Sequence, residues 1–339
     1  MKRKVLFLTA ALMLASVLLC SCTVNFFDTT VYDVYTNADK YSVGSFEYGR
    51  DGIKKVVIDW VSGKVEVEED SGETLKVVED SESLDDDKRV HYFIDDGVLR
   101  IRFCKSGYTG TFTPDEIDKN KTVYVNIPEK IDVEINTVSA DVAIFKKSEK
   151  TVYDNPNTVT TAREQSVKIA TTSGDIKMGS LSCNDIKFSS VSGDVTVGKI
   201  KCKDAKFEST SGDVSVIGSF TTLDAKSVSG SMSFDVSGCT SAKIESVSGK
   251  IETSGSLTLL TAKAISGDIK VNAVFAEADL SATSGDITIR KFGGTLTFST
   301  ASGKLKTNIP HTEDDKKYTF GDSGQTAKVG TVSGNLYVE

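Results

Sequence analysis

A Ser-Gly dipeptide returns through this chain at an almost fixed spacing, beginning at Ser173-Gly174 and recurring at Ser192, Ser211, Ser229, Ser248, Ser266, Ser284 and Ser302, in steps of 19, 19, 18, 19, 18, 18 and 18 residues. So short a period, carried by strand-type residues, describes a solenoid in which each repeat adds one coil to a stack. Three places after the repeat Ser stands an unbroken apolar column: Ile176, Val195, Val214, Met232, Ile251, Ile269, Ile287 and Leu305. Six and four places before it come further apolar pairs, such as Val167 with Ile169 and Ile186 with Phe188. Polar residues alternate with them, the two-residue period of a half-buried strand. The expected fold is therefore all-β, a parallel β-solenoid with 18–19-residue coils, right-handed because parallel crossovers nearly always are.

Within each coil the glycines Gly174, Gly193, Gly212, Gly230, Gly249, Gly267, Gly285 and Gly303 are read as turn residues. Glycine reaches positive φ without the penalty a Cβ brings. The same signature stands outside the regular run at Ser62-Gly63-Lys64 and Ser333-Gly334-Asn335, and in weakened form at Ser139-Ala140-Asp141.

The N-terminus carries a second signal. Lys2, Arg3 and Lys4 precede an apolar run from Val5 to Leu19, too short for a spanning helix, as in a secretory signal. The run ends in Leu19-Cys20-Ser21-Cys22, which resembles a bacterial lipobox and implies cleavage after Ser21 and lipidation of Cys22. An acyl anchor there implies a membrane-attached, extracytoplasmic protein of the bacterial cell envelope. Removing the three basic residues of the leader from the 40 in the chain leaves 37 against 48 acidic, a net −11. A surface that acidic excludes nucleic acid as a partner, because phosphate contacts need clustered Lys and Arg.

Five regions are expected: residues 1–22 as lipoprotein signal, 23–45 as tether, 46–156 as an irregular N-terminal β portion, 157–309 as regular coils, and 310–339 as a C-terminal capping coil. Terminal repeats of solenoids are atypical because they shield an open end.

The motif seen in Val191-Ser192-Gly193-Asp194-Val195 and Thr283-Ser284-Gly285-Asp286-Ile287 resembles the bacterial putative-adhesin or toast-rack domain, a domain of unknown function. The resemblance runs from about residue 50 onward. It implies a β-solenoid tied to the cell envelope or to envelope stress, and it brings no catalytic residues with it.

Asp175, Asp194 and Asp213 share a column two places after the repeat Ser. Stacked about 4.8 Å apart, like charges repel by roughly 1 kcal/mol per pair in water. A Ca²⁺ ladder is one way to offset that. Turn chemistry is the other: Asp accepts backbone N–H groups, and Lys250 and Lys304 in the same column would expel a cation. Turn chemistry is the expectation, with no metal and no cofactor. Lys168, Lys187 and Lys206 form a like-charged stripe able to contact an acidic polymer, whereas Glu208, Lys226, Glu245 and Lys263 alternate in sign from coil to coil.

Cys183, Cys202 and Cys239 occupy one column, nine places before a repeat Ser, where Phe220, Leu257 and Phe275 also stand. Consecutive coils bring Cys183 and Cys202 within disulfide range, yet the column accepts apolar residues, so buried thiols are expected over a bridge. The two histidines, His91 and His311, lie outside the regular coils, and no GxSxG, HExxH or phosphate loop occurs. A non-catalytic surface rod, binding a cell-wall glycan or an envelope protein, is the expected function. The alternative is a polysaccharide lyase or hydrolase, for which Asp194 and Asp213 form a formal pair spaced more closely than the roughly 5 to 9 Å of glycosidase carboxylates.

Overall fold

The computed structural model describes residues 32–81, 83–146 and 165–339; the signal segment, Cys22 and the boundary at residues 156 and 157 lie outside them. The described chain is almost entirely β and forms two compact units, the first made of the described residues up to 181 together with 191–193 and the second of residues 182–190 with 194–339.

In the second unit the strands Val195–Ser209, Val214–Ser227, Met232–Ser246 and Ile251–Ala264 stack in parallel. The apolar columns meet residue for residue, with Val195 opposite Val214, Val214 opposite Met232, Met232 opposite Ile251 and Ile251 opposite Ile269. Alternate residues point in, and the inward ones, such as Phe207, Phe234 and Ile244, are essentially inaccessible. The alternation between 18 and 19 residues is absorbed at one place in the coil. Register shifts fall between Val197 and Lys199, Gly218 and Thr222, and Val236 and Cys239, where a longer coil meets a shorter one. The extra residue becomes a bulge remote from the Ser-Gly turn, and the core columns stay aligned.

The last coil in sequence is not the last in space. Leu336–Val338 pairs with Ile287–Ile289 on one side and Leu305–Thr307 on the other, and Thr326–Thr331 likewise lies between Glu277–Ala282 and Thr295–Ser299. The Ser333 coil is thus inserted between the Ser284 and Ser302 coils, which corrects its assignment as a cap. Packing explains the order: Leu336 and Val338 are covered on both sides, and the outermost place falls to the Ser302 coil, where Leu305 is only half-buried. The edge of Thr295–Ser299 is closed by the antiparallel strand Lys317–Thr319, hairpinned with Thr312–Asp314. An antiparallel edge strand pairs backbone groups that a parallel stack would leave open.

The first unit repeats this device. Lys55–Trp60 and Lys64–Asp70 form the Ser62 coil, which lies between the Ser139 coil and a coil made of Val98–Arg102 and Thr122–Pro128. Antiparallel strands Thr74–Glu79 and His91–Asp95 close the outer coil, and Phe46–Gly49 and Ser42–Val43 extend them. The connection carries a short helix, Pro114–Asn120, started by a capping box between Thr113 and Glu116.

The described part of the expected tether, residues 32–45, is not a free linker. From Tyr32 to Ser45 the chain is docked: Tyr32 and Gly107 donate backbone hydrogen bonds to Tyr108 and Asp33, and Tyr35 donates its amide to Ser106. The physical reason is aromatic burial, with Tyr32 stacked 5.7 Å from Phe103 and Tyr41 5.4 Å from Phe93.

Candidate functional site

The Ser-Gly turn is the element most repeated, and its chemistry proves to be stitching. A Cβ on Gly193 would stand 1.9 Å from the carbonyl oxygen of Gly174, and one on Gly230, Gly249, Gly267 or Gly285 would stand 2.0 to 2.1 Å from the glycine carbonyl of the preceding coil. Gly334 and Gly303 continue the series at 1.9 Å. None of these glycines has a left-handed φ. The expectation of positive φ is therefore corrected: in these coils glycine is required because successive backbones approach too closely for a Cβ, whereas the Ser139 coil accommodates Ala140.

Neighbouring residues tie the turns together. The repeat Ser donates its hydroxyl to a carbonyl of the adjacent coil, as Ser192 does to Thr172 and Ser229 to Thr210, both at 3.1 Å. Two places earlier a buried hydroxyl locks the turn internally, with Ser227 donating to Gly230 O at 2.7 Å and Thr331 to Gly334 O at 2.7 Å. The column is plain in the sequence once the turn is aligned, at Thr137, Thr171, Ser190, Ser209, Ser227, Ser246 and Thr331; Thr171 accepts the Gly174 amide at 2.9 Å, and the buried Ser246 hydroxyl has no partner among the described residues.

The aspartates after the glycines are engaged in the same way. Asp194 accepts the amide of Asp213 at 2.8 Å, Asp213 that of Ser231 at 2.7 Å, Asp268 that of Asp286 at 2.9 Å and Asp286 that of Asn335 at 2.7 Å. In the first unit Asp141 accepts the amide of Asp175 at 3.0 Å. Each carboxylate thus answers an N–H of the next coil, which offsets the repulsion along the column. Among the described residues no group of three or more His, Cys, Asp or Glu is placed to hold a metal ion.

On the outer faces carboxylates sit between pairs of lysines. Glu208 faces Lys206 at 2.9 Å and Lys187 at 3.8 Å, Glu245 faces Lys243 at 3.3 Å and Lys226 at 3.5 Å, and Glu134 faces Lys168 at 2.5 Å and Lys55 at 2.6 Å. Burial works to raise the Glu134 carboxyl, but hydrogen bonds from Lys168 and Lys55 hold it below the usual carboxylate range. Each lysine of the Lys168, Lys187 and Lys206 stripe thus has a carboxylate partner, shared with a second lysine.

The densest cluster of ionisable groups lies in the first unit and was not anticipated. The Lys121 ammonium is wholly buried and donates to the Glu79 carboxylate, to Lys88 O at 2.9 Å and to Phe103 O at 2.6 Å. It also stands 4.3 Å from the Phe103 ring and 4.7 Å from that of Trp60. The other Glu79 oxygen accepts the Val90 amide at 2.7 Å. Burial pulls the Lys121 pKa down and Glu79 opposes it. Burial also pushes the Cys104 thiol up to about 12 and lowers His91. With every ammonium proton committed and no solvent access, this lysine holds a strand, a turn and a coil together. It offers no proton to a substrate.

Cys183 and Cys202 are buried with their sulfurs 3.4 Å apart, in contact and not bonded, and Cys202 also approaches Asn184 O at 3.0 Å. His91 belongs to the first unit and His311 to the second, each bonded to a carbonyl two residues away. A shallow depression of about 200 Å³ lies on the outer face of the second unit, lined among others by Ser233, Glu252, Lys270, Asn272 and Arg290.

Residues 53–254 and 184–339 match the family model described as Toastrack DUF4097. No curated protein matches the chain. Among solved structures, a putative cell adhesion protein from Clostridium sporogenes is similar at 11% identity and a TM-score of 0.20, covering 88% of this chain and 99% of that one. A putative adhesin from Bacteroides fragilis is similar at 13% identity and 0.34, covering 88% and 97%. A putative lipid binding protein from Parabacteroides distasonis is similar at 15% and 0.32, covering 88% and 96%. TM-scores this low establish nothing about activity.

Proposed function

The chain belongs to the Toastrack DUF4097 family, and we propose that it is a non-catalytic binding or scaffolding module of the bacterial cell surface, held to a membrane by lipid on Cys22. One observation carries this reading. The repeat Ser hydroxyls and the Asp carboxylates of the turn are engaged by hydrogen bonds to the adjacent coil, and Ser227 by one within its own turn, so the chemistry left for a partner is the polar outer face of the strands. Such a face suits a long polymer or another protein surface better than a small substrate needing enclosure.

Asp194, the carboxylate offered for glycan cleavage, accepts a backbone amide and sits exposed on a turn. A glycosidase acid needs a raised pKa and a partner across a groove. The test is cell fractionation of the full chain and of Cys22→Ala, together with surface cross-linking and a glycan array. Membrane association lost in Cys22→Ala, with a captured glycan or envelope protein, supports the proposal. Turnover of an acidic polysaccharide, abolished in Asp194→Asn, overturns it in favour of an enzyme.

A further inference from the structure

The outward lysines of the second unit are not all alike. Lys187 and Lys206 share Glu208, Lys226 and Lys243 share Glu245, and Lys250 and Lys270 share Glu252. Lys199, Lys201 and Lys203 are exposed and, like Lys263 and Lys328, make no ion pair among the described residues; what sets them apart is that three such lysines stand together. They stand on one strand, Val195–Ser209, with Ile200 and Cys202 buried between them. The one-residue bulge at Gly198 sets this phase, since Val197 pairs with Val216 and Lys199 with Ile217.

Residues two apart on a strand are separated by about 6.7 Å, so the three lysines span about 13 Å along one face. Neighbouring ammoniums at that distance repel by roughly 0.6 kcal/mol in water. The neighbouring strand sets Ile217 and Ser219 opposite Lys199 and Lys201, with no acid in that register. The acid nearest in sequence, Asp204, accepts the hydroxyl of Thr222.

From this placement we infer that Lys199, Lys201 and Lys203 form a docking strip for a linear polyanion of the cell wall, a polymer bearing phosphate or carboxylate groups at intervals of several ångströms. The inference rests on the binding role proposed above and names its ligand class. Charge complementarity selects the occupant. A chain with net −11 beyond its leader repels a broad anionic plane, whereas a narrow polymer can follow one cationic strand and avoid the acidic remainder. Duplex DNA is a poor fit, because three cations neutralise too few phosphates for stable binding at physiological salt.

The experiment measures binding of the full detergent-solubilised chain to poly(glycerol phosphate), polygalacturonate, neutral dextran and phosphatidylglycerol vesicles at rising NaCl. The expected result is binding to one or both anionic polymers that weakens with salt. It should fall about tenfold or more in Lys199→Gln/Lys201→Gln/Lys203→Gln and persist in Lys187→Gln/Lys206→Gln/Lys226→Gln. Preference between the two polymers identifies phosphate or carboxylate as the group read. Equal binding by the first triple variant, binding to dextran alone, or vesicle binding without polymer binding would each overturn the strip while leaving a binding function standing. Cleavage of either polymer would overturn the binding role itself.

Discussion

The stacked coils of the second unit and the capped end of the first reach stability by opposite means. In the coils each residue type solves the same problem many times: glycine admits the next backbone, serine and aspartate bridge to it, and a short apolar column fills the interior. In the capped end the solutions are single. One buried ion pair, one aromatic cluster around Phe103 and one capped helix hold antiparallel strands over an open coil. Repetition distributes a constraint over many positions, whereas a cap concentrates it in a few. Loss of one residue should therefore be felt differently in the two places.

The coils break most readily where repetition leaves no room. Gly249→Val puts a branched side chain where even a Cβ would lie 2.0 Å from Gly230 O. Two stacked coils must separate, and the cost exceeds the roughly 1–3 kcal/mol of ordinary overpacking. The expected outcome is failure to fold or a melting temperature reduced by tens of degrees. Gly330→Ala is the control, since nothing lies within 4 Å of a Cβ there, and it should melt as wild type does. Equal tolerance at both positions would remove close approach as the reason for glycine.

The cap should yield to one substitution of a different kind. Lys121→Met leaves the Glu79 carboxylate buried without its cation, a loss of about 3–5 kcal/mol. Adding Glu79→Leu removes the stranded charge and should restore part of the loss, as measured by urea unfolding. A double variant no better than the single one would mean that Lys121 acts through its carbonyl contacts to Lys88 and Phe103 and not through the ion pair.

This contrast also explains what was legible in the sequence. The period, the parallel stack and the apolar columns could be read because a solenoid writes the same requirement at each turn. The Asp column reads as turn chemistry for the same reason, although its partner is the next coil's amide and not its own turn. The Lys121, Glu79 and Phe103 contacts join residues 18 to 42 apart in sequence, and no local pattern marks such a meeting. The insertion of the Ser333 coil between two earlier ones was hidden too, since a repeat motif records membership in the stack and not position within it. Docking of Tyr32, Tyr35 and Tyr41 was signalled by three aromatics in a segment otherwise suited to a tether.

A smaller effect tests whether the turn hydroxyl belongs to the repeat's required chemistry. Ser227→Ala removes the 2.7 Å bond to Gly230 O from a site only 5% exposed. The expected loss is about 1 kcal/mol, a few degrees in melting temperature. The coils at Ser266 and Ser284 already carry Ala264 and Ala282 in that column, so the stack tolerates its absence in places. A loss comparable to that of Gly249→Val would show that one hydroxyl governs the turn, contrary to a distributed constraint.

The smallest effect separates the two regions by pH. Burial lowers the His91 pKa below 6.5, against the pull of Asp87 and Glu79. The folded ring therefore stays neutral at a pH where the unfolded chain already binds a proton. Stability is fully present above 6.5 and declines as pH falls from there toward the folded value. Glu134, held below the ordinary carboxylate range, begins to lose its contribution only as pH falls toward 4.5, below the pH at which the His91 decline begins. Hydrogen exchange at pH 7.5 and 5.5 should show faster opening of peptides from residues 86–104 at the lower pH, with peptides from residues 214–264 unchanged. His91→Gln should abolish the pH dependence in the first set. If both sets opened together, or if His91→Gln left the difference intact, the cap would not be the pH-sensitive part of the molecule.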